Sequence, residues 1–198
     1  LKLPVRLLNE NKFVISTHRL HLRDIVMSDL NDIHLLLSLP ETDKYNVLGL
    51  PDAIDVTKKW VEEWISAQSR EPRISYTLYV AHRDTNTFAG LIALVKGKAN
   101  YRIAEVWFKT LPTFWNQGYT TEALGELLRF GFTDLNLHRI EAGCAAENIA
   151  SIKVLEKAGM IREGLKRRLL PIREQWFDSY LYAQLEDDFI KQSLPSAV

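Results

Sequence analysis

The stretch Leu111-Pro112-Thr113-Phe114-Trp115-Asn116-Gln117-Gly118-Tyr119-Thr120-Thr121-Glu122-Ala123 decides the fold of this chain. Before it, Tyr101–Leu111 is apolar and β-branched and predicts a strand. After it, Gly118–Leu135 sets Ala123, Leu124, Leu127, Leu128 and Gly131 on one helical face. A strand therefore passes through a short turn into a long helix. The start of a helix leaves backbone N–H groups unpaired at the positive end of its dipole, which suits an anion. Gly118 has no Cβ to hold a phosphate away from the backbone. Many strand–helix turns share these features and bind nothing, so the turn alone is a weak signal.

Working outward, Thr17–Arg23 alternates Leu20 and Leu22 with polar residues and predicts a short strand. Ser28 is placed to cap a helix bearing Leu30, Ile33, His34 and Leu37, stopped by Pro40. Residues 40–54 are expected to form an irregular loop, and Asp55 to cap a helix with Val56, Trp60, Val61, Trp64 and Ile65 on one face. Ser75–Arg83 and Phe88–Val95 predict a hairpin closed by Asp84-Thr85-Asn86-Thr87. Together with Tyr101–Leu111 they make a meander. Beyond the long helix, His138–Ala146 predicts a strand, Asn148 caps a helix reaching about Ala158, and Gly159 occupies its C′ position. Two strands, about Lys166–Leu170 and Trp176–Leu185, close the chain. This order predicts an α+β fold: a mixed, mostly antiparallel central sheet flanked by helices. We expect an extension over residues 1–14, one domain over 15–187 and a tail over 188–198.

The 198 residues fit a single domain, and 25 Lys+Arg balance 25 Asp+Glu. That balance argues against a general DNA binder or an anionic-membrane binder. The one cysteine, Cys144, rules out a disulfide framework or a Cys-rich zinc site and suits a small buried strand residue. No apolar run approaches the ~20 residues of a membrane helix, and the first residues lack a signal-peptide apolar run, so a cytoplasmic protein is expected. There is no Gly-x-Gly fingerprint, no phosphate-loop lysine at the required spacing and no Gly-x-Ser-x-Gly elbow. His18 and His21 point to opposite faces of a strand, and no metal site is expected. Trp60, Trp64, Trp107 and Trp176 are expected in the core, with one or two lining a pocket.

Trp115–Ala123, together with Asn148-Ile149-Ala150-Ser151-Ile152-Lys153-Val154-Leu155-Glu156-Lys157-Ala158-Gly159-Met160, resembles the GNAT superfamily of N-acetyltransferases. More narrowly, the chain resembles the branch that includes the ribosomal-protein N-terminal-alanine acetyltransferases. Thr17–Arg23 is similar to that branch's first strand, and Trp176–Leu185, with Asp178 and Tyr180, to its closing strand. The likeness runs in order over roughly residues 15–187. The family's pyrophosphate loop, Arg/Gln-x-x-Gly-x-Gly/Ala, becomes Trp115-Asn116-Gln117-Gly118-Tyr119-Thr120, with departures at Trp115 and Thr120. Thr120 either offers its hydroxyl to a phosphate or crowds the loop.

The resemblance implies acetyl-coenzyme A as cosubstrate, bound by backbone amides of Gln117, Gly118, Tyr119, Thr120 and Thr121. Phe108 and Thr110 would pair their backbones with the pantetheine arm, and Asn148 and Ser151 would approach its thiol end. It also implies acetyl transfer to a primary amine, either a protein N-terminus or a small molecule, by a monomer or homodimer. Many members use a tyrosine as general acid where this chain has Leu155, which leaves Ser151 or a water to protonate the thiolate. Glu105, a carboxylate in the apolar run Ile103–Phe108, is the candidate general base, or else a structural acid. Glu122 is expected to serve the helix start and Glu141 to pair with a basic group such as Arg139. A small-amine acetyltransferase and a coenzyme-binding module without catalysis are the alternatives.

Overall fold

The computed structural model describes residues 13–193. Strands β1 (Val14–Ser16) and β2 (Leu20–Asp24) lead into helices α1 (Leu30–Ser38), α2 (Pro40–Asp43) and α3 (Ile54–Gln68). A meander follows: β3 (Ser75–His82), β4 (Phe88–Lys96) and β5 (Ile103–Thr110). Helix α4 (Tyr119–Thr133), strand β6 (Arg139–Ala145) and helix α5 (Ile149–Lys157) form the crossover. The hairpin β7 (Ile161–Ile172) and β8 (Gln175–Leu185) comes next, then helix α6 (Glu186–Ser193). All eight strands join one sheet in the order β1-β2-β3-β4-β5-β6-β8-β7. Among the described residues, only β5 and β6 run parallel. This is the mixed, mostly antiparallel sheet that the element order predicts.

Two apolar layers cover the sheet. On one face α4 buries Leu124, Leu127 and Leu128 against Leu20, Leu22, Leu94, Val106 and Ile140. Each such leucine contributes roughly 1.5–3 kcal/mol by leaving water. Leu155 of α5 belongs to this layer, and Phe189 of α6 stacks on Phe132 with ring centroids 5.2 Å apart. On the opposite face α1 and α3 place Ile33, Leu36, Leu37 and Val61 against Tyr79, Phe88 and Leu91. Gly131 lets α4 come close to the sheet, since a Cβ there would lie 2.5 Å from the Ile140 side chain.

Several expectations are corrected. Ser28 does not cap α1; it lies in a single 3-10 turn, and the neighbouring Asp29 accepts the Val26 N–H at 2.9 Å and grips Arg23 through both oxygens. A buried carboxylate with a guanidinium partner outcompetes a hydroxyl for that place. Asp55 lies inside the first turn of α3, behind Ala53 as N-cap. The expected loop over 40–54 opens with α2, because Pro40 is placed at the start of a helix, where its missing N–H costs nothing. Strand β7 is longer than predicted, since pairing with β8 sustains it across two bulges. Trp176 is 62% exposed instead of buried, because the tip of the β7–β8 hairpin extends past the helices. Strand β1 and helix α6 are elements that the sequence pattern does not predict. Most of residues 1–14, and residues 194–198, lie outside the described residues.

Candidate active site

Strands β5 and β6 are joined only at Ile103–Arg139, Ala104–Ile140 and Glu105–Glu141. Beyond Glu105 they part, and a wedge opens in the middle of the sheet. The register with β4 determines what β5 offers to that wedge. Gly97 N–H bonds Ile103 O at 2.8 Å and Leu111 N–H bonds Ala89 O at 2.9 Å, so odd-numbered residues of β5 bond to β4. The backbone groups of Val106, Phe108 and Thr110 therefore turn toward the wedge. Side chains alternate as well. Ala104, Val106 and Phe108 pack on the α4 side. Trp107 meets Trp64 of α3, and Lys109 interacts with Asp43 of α2, on the other side.

The loop from β5 to α4 ends at the mouth of this wedge. Asn116 (φ 58) and Gly118 (φ 79) adopt left-handed conformations, and Gly118 is the N-cap of α4 with no side chain to cap it. The first helical bond is Glu122 N–H to Gly118 O at 3.0 Å. Among the described residues, no acceptor is bonded to the backbone N–H groups of Gln117–Thr121. Five consecutive unpaired donors at the positive end of a helix are suited to an anion. Both departures from the family pattern have structural roles. Trp115 Nε1–H donates to Thr110 O at 2.8 Å, and the Thr120 and Thr110 hydroxyls lie 2.8 Å apart. Thr120 thus ties the start of α4 to the end of β5, and Gln117 Nε2 donates to Thr113 O at 2.7 Å.

Arg19, just before β2, is bound to this loop, a contact the sequence pattern does not reveal. Its guanidinium donates to Gln117 O at 3.0 Å, lies 4.2 Å from the Tyr119 ring centre and pairs with Glu122 at 2.6 Å. Thr17 Oγ1 and the Arg19 N–H also donate to Glu122, at 2.5 and 2.8 Å. Burial pushes the Glu122 carboxyl up, but these donors outweigh it and hold the pKa below the usual carboxylate value. Glu122 therefore serves the loop as a strut. Arg19 lies about a hundred residues before it in sequence, too far apart for local periodicity to link them.

At the other side of the wedge, Asn148 caps α5: its Oδ1 accepts the Ser151 N–H at 3.1 Å. Ser151 is half-buried, and burial raises the Cys144 thiol to about 11 against the opposing influence of the Ser151 hydroxyl. Leu155 is fully buried in the core, at the position of the family's tyrosine. Glu105 is exposed on the face opposite α4 and has no ion pair among the described residues. Its neighbour Glu141 is held by Arg139 at 2.7 Å. No group of metal-binding side chains occurs among the described residues, and no helix there is long and apolar enough to cross a membrane.

Comparison with known proteins agrees with this geometry. The family model for the GNAT acetyltransferase domain matches residues 19–161. The uncharacterized N-acetyltransferase YnaD of Bacillus subtilis is 31% identical over 177 residues, covering 88% of this chain and 98% of its own. Two solved structures share the fold across most of their lengths. A spermidine N-acetyltransferase from Vibrio cholerae, in complex with CoA and spermine, has a TM-score of 0.76 at 22% identity, covering 86% of this chain and 98% of its own. A ribosomal-protein-alanine acetyltransferase from Vibrio fischeri has a TM-score of 0.78 at 19% identity, covering 89% and 98%. Such similar scores favour neither branch, so the narrower resemblance to the ribosomal enzymes is not singled out. Acetyl-CoA is the cosubstrate, and the reading as a module without catalysis falls away. The chain belongs to the GNAT family and is an acetyl-CoA-dependent N-acetyltransferase.

Proposed function

We propose that the acceptor is the α-amine at a protein N-terminus, with Glu105 as general base and Ser151 as general acid. The observation that carries this reading is Glu105 itself, an exposed carboxylate beside the apex of the wedge and on the face away from α4. An α-amine, with a reference pKa of ~7.7–8.0, is already roughly a tenth neutral at pH 7, whereas a lysine at ~10.4 is almost never neutral. A solvated carboxylate, acting directly or through one water, is base enough for the first and poor for the second. Acetyl-CoA would lay its pyrophosphate on the amides of Gln117, Gly118, Tyr119, Thr120 and Thr121. Its pantetheine arm would pair with the Phe108 and Thr110 backbones, and its thiol end would reach Asn148 and Ser151. A backbone N–H of β5 turned into the wedge would polarise the thioester carbonyl. The Ser151 hydroxyl would then give its proton to the departing thiolate and recover one from solvent.

A small polyvalent amine is the second reading, supported by the likeness to the spermidine enzyme solved with spermine. Mass spectrometry of N-terminal peptides and spermidine, offered in competition with acetyl-CoA, tests the choice: we expect acetylation at the peptide α-amine. Glu105→Gln should lower kcat by ~10²–10⁴ with acetyl-CoA affinity unchanged, and remove the acidic limb of the pH–rate profile. Unchanged turnover with a lowered Tm would make Glu105 a structural acid.

A further inference from the structure

Away from the coenzyme loop, the open ends of β5 and β6 meet α2 and the β7–β8 turn in a group of charges. The Asp43 carboxylate of α2 is 1% exposed. Its Oδ2 accepts Arg173 Nη2 at 3.1 Å, which fastens α2 to the hairpin turn, and its Oδ1 has no partner. Lys109 of β5 buries its Nζ nearby without a hydrogen bond, and that burial lowers its pKa against the attraction of Asp43. Beside this group lies a cavity of about 290 Å³, near the lower end of small-ligand pockets at ~300–1,000 Å³. Tyr45 and Phe177, edge to face with ring centres 6.5 Å apart, supply its apolar wall.

The charges around this cavity are arranged by sign. Lys44 and Arg173 come from α2's C-terminal side and the hairpin turn. Glu147 comes from the link between β6 and α5, immediately before the capping Asn148. Among the described residues neither Lys44 nor Glu147 has an ion pair. Arg173 spends one nitrogen on Asp43 and leaves the rest of a half-exposed guanidinium free. Among the residues lining the cavity the charged ones are the cations Lys44 and Arg173 and the acid Glu147, so a polycation entering here would meet more like charge than opposite charge. Glu147, the acid of the lining, would attract an ammonium entering the cavity.

We infer that this cavity selects acceptors carrying a carboxylate within a residue or two of the amine, with Glu147 drawing the ammonium and Lys44 and Arg173 the carboxylate. The inference rests on the α-amine reading and narrows it to acidic peptide termini. The test compares alanyl-glutamate, alanyl-glutamine amide and spermidine as acceptors, and titrates each calorimetrically into the protein–CoA complex. Alanyl-glutamate should exceed the neutral dipeptide in kcat/KM by about tenfold or more. Lys44→Glu, at an exposed position, should erase that preference by raising KM for alanyl-glutamate while KM for acetyl-CoA holds. Equal use of the two dipeptides, preference for spermidine, or a Lys44→Glu effect on acetyl-CoA instead would overturn the inference. Binding of alanyl-glutamate without its acetylation would overturn the α-amine reading and leave the charge selection standing.

Discussion

Helices α4 and α5 both start at the wedge between β5 and β6, and they start in opposite ways. The α5 start is closed: the Asn148 side chain occupies the Ser151 N–H. The α4 start is open: Gly118 offers no side chain, and the N–H groups that follow have no partner among the described residues. A cap such as Asn148 typically stabilises a protein by ~1 kcal/mol. Leaving α4 without one keeps its donors for a ligand, while α5 secures its own position and orients Ser151. On the proposed coenzyme site, one structural device, the helix N-terminus, serves once for binding and once for support.

The sharpest way to break this comparison is at Gly118. Gly118→Val should abolish the rise in Tm produced by acetyl-CoA, a stabilisation of ~2.7 kcal/mol at a hundredfold excess over Kd. The added Cβ would stand 3.5 Å from the Arg19 guanidinium, and a β-branched residue is strained at φ 79. Gly118→Asn tolerates that conformation and serves as the control should valine unfold the chain; it too should weaken the coenzyme-induced shift. A full shift in both variants would place the pyrophosphate elsewhere.

Effects at α5 should be smaller and of a different kind. Ser151→Ala should lower kcat and kcat/KM together by about tenfold, or ~1.4 kcal/mol, because a water can replace the hydroxyl. Steady-state kinetics that find full kcat would assign Ser151 to packing. Asn148→Ala should cost ~1 kcal/mol in thermal or urea unfolding, together with some coenzyme affinity. A loss of stability with unchanged affinity would reduce Asn148 to a cap alone.

The smallest effect belongs to Glu122. Its folded pKa lies below the ordinary value, so its contribution to stability is present above the unfolded pKa and disappears as pH falls through the folded one. Glu122→Gln should therefore narrow the stability gap to wild type on acidification below about pH 4. A gap independent of pH would mean that the Arg19–Glu122 pairing adds nothing electrostatic.

These two helix starts were legible in the sequence because each is local. Gly118 before a periodic apolar face, and Asn148 before another with Gly159 after it, carry their meaning within one turn. Gly159 does adopt the left-handed conformation, at φ 89, that a C′ glycine supplies. What was not legible is tertiary. Arg19 reaches the loop only because β2 lies beneath the start of α4, and Asp43 acquires its importance from a hairpin 130 residues later. The exposure of Trp176 depends on where the sheet outruns its helices, which composition cannot register. The opening between β5 and β6 was the least readable feature, since it consists of hydrogen bonds the chain does not make.

That opening gives the sheet an edge in its interior. An outer edge strand is usually blunted by charge, bulges or brevity, because any extended chain can add to it. Here the line Val106–Phe108–Thr110 is shielded in part by position: β6 stands across the wedge and α4 covers one flank, while the other flank carries the exposed Glu105. A second polypeptide strand would bring side chains on both faces, whereas a slim thread with amides at intervals brings none. Molecular shape thus performs a selection that sequence-specific side chains perform elsewhere, and it frees the residues around the acceptor end to vary with the amine.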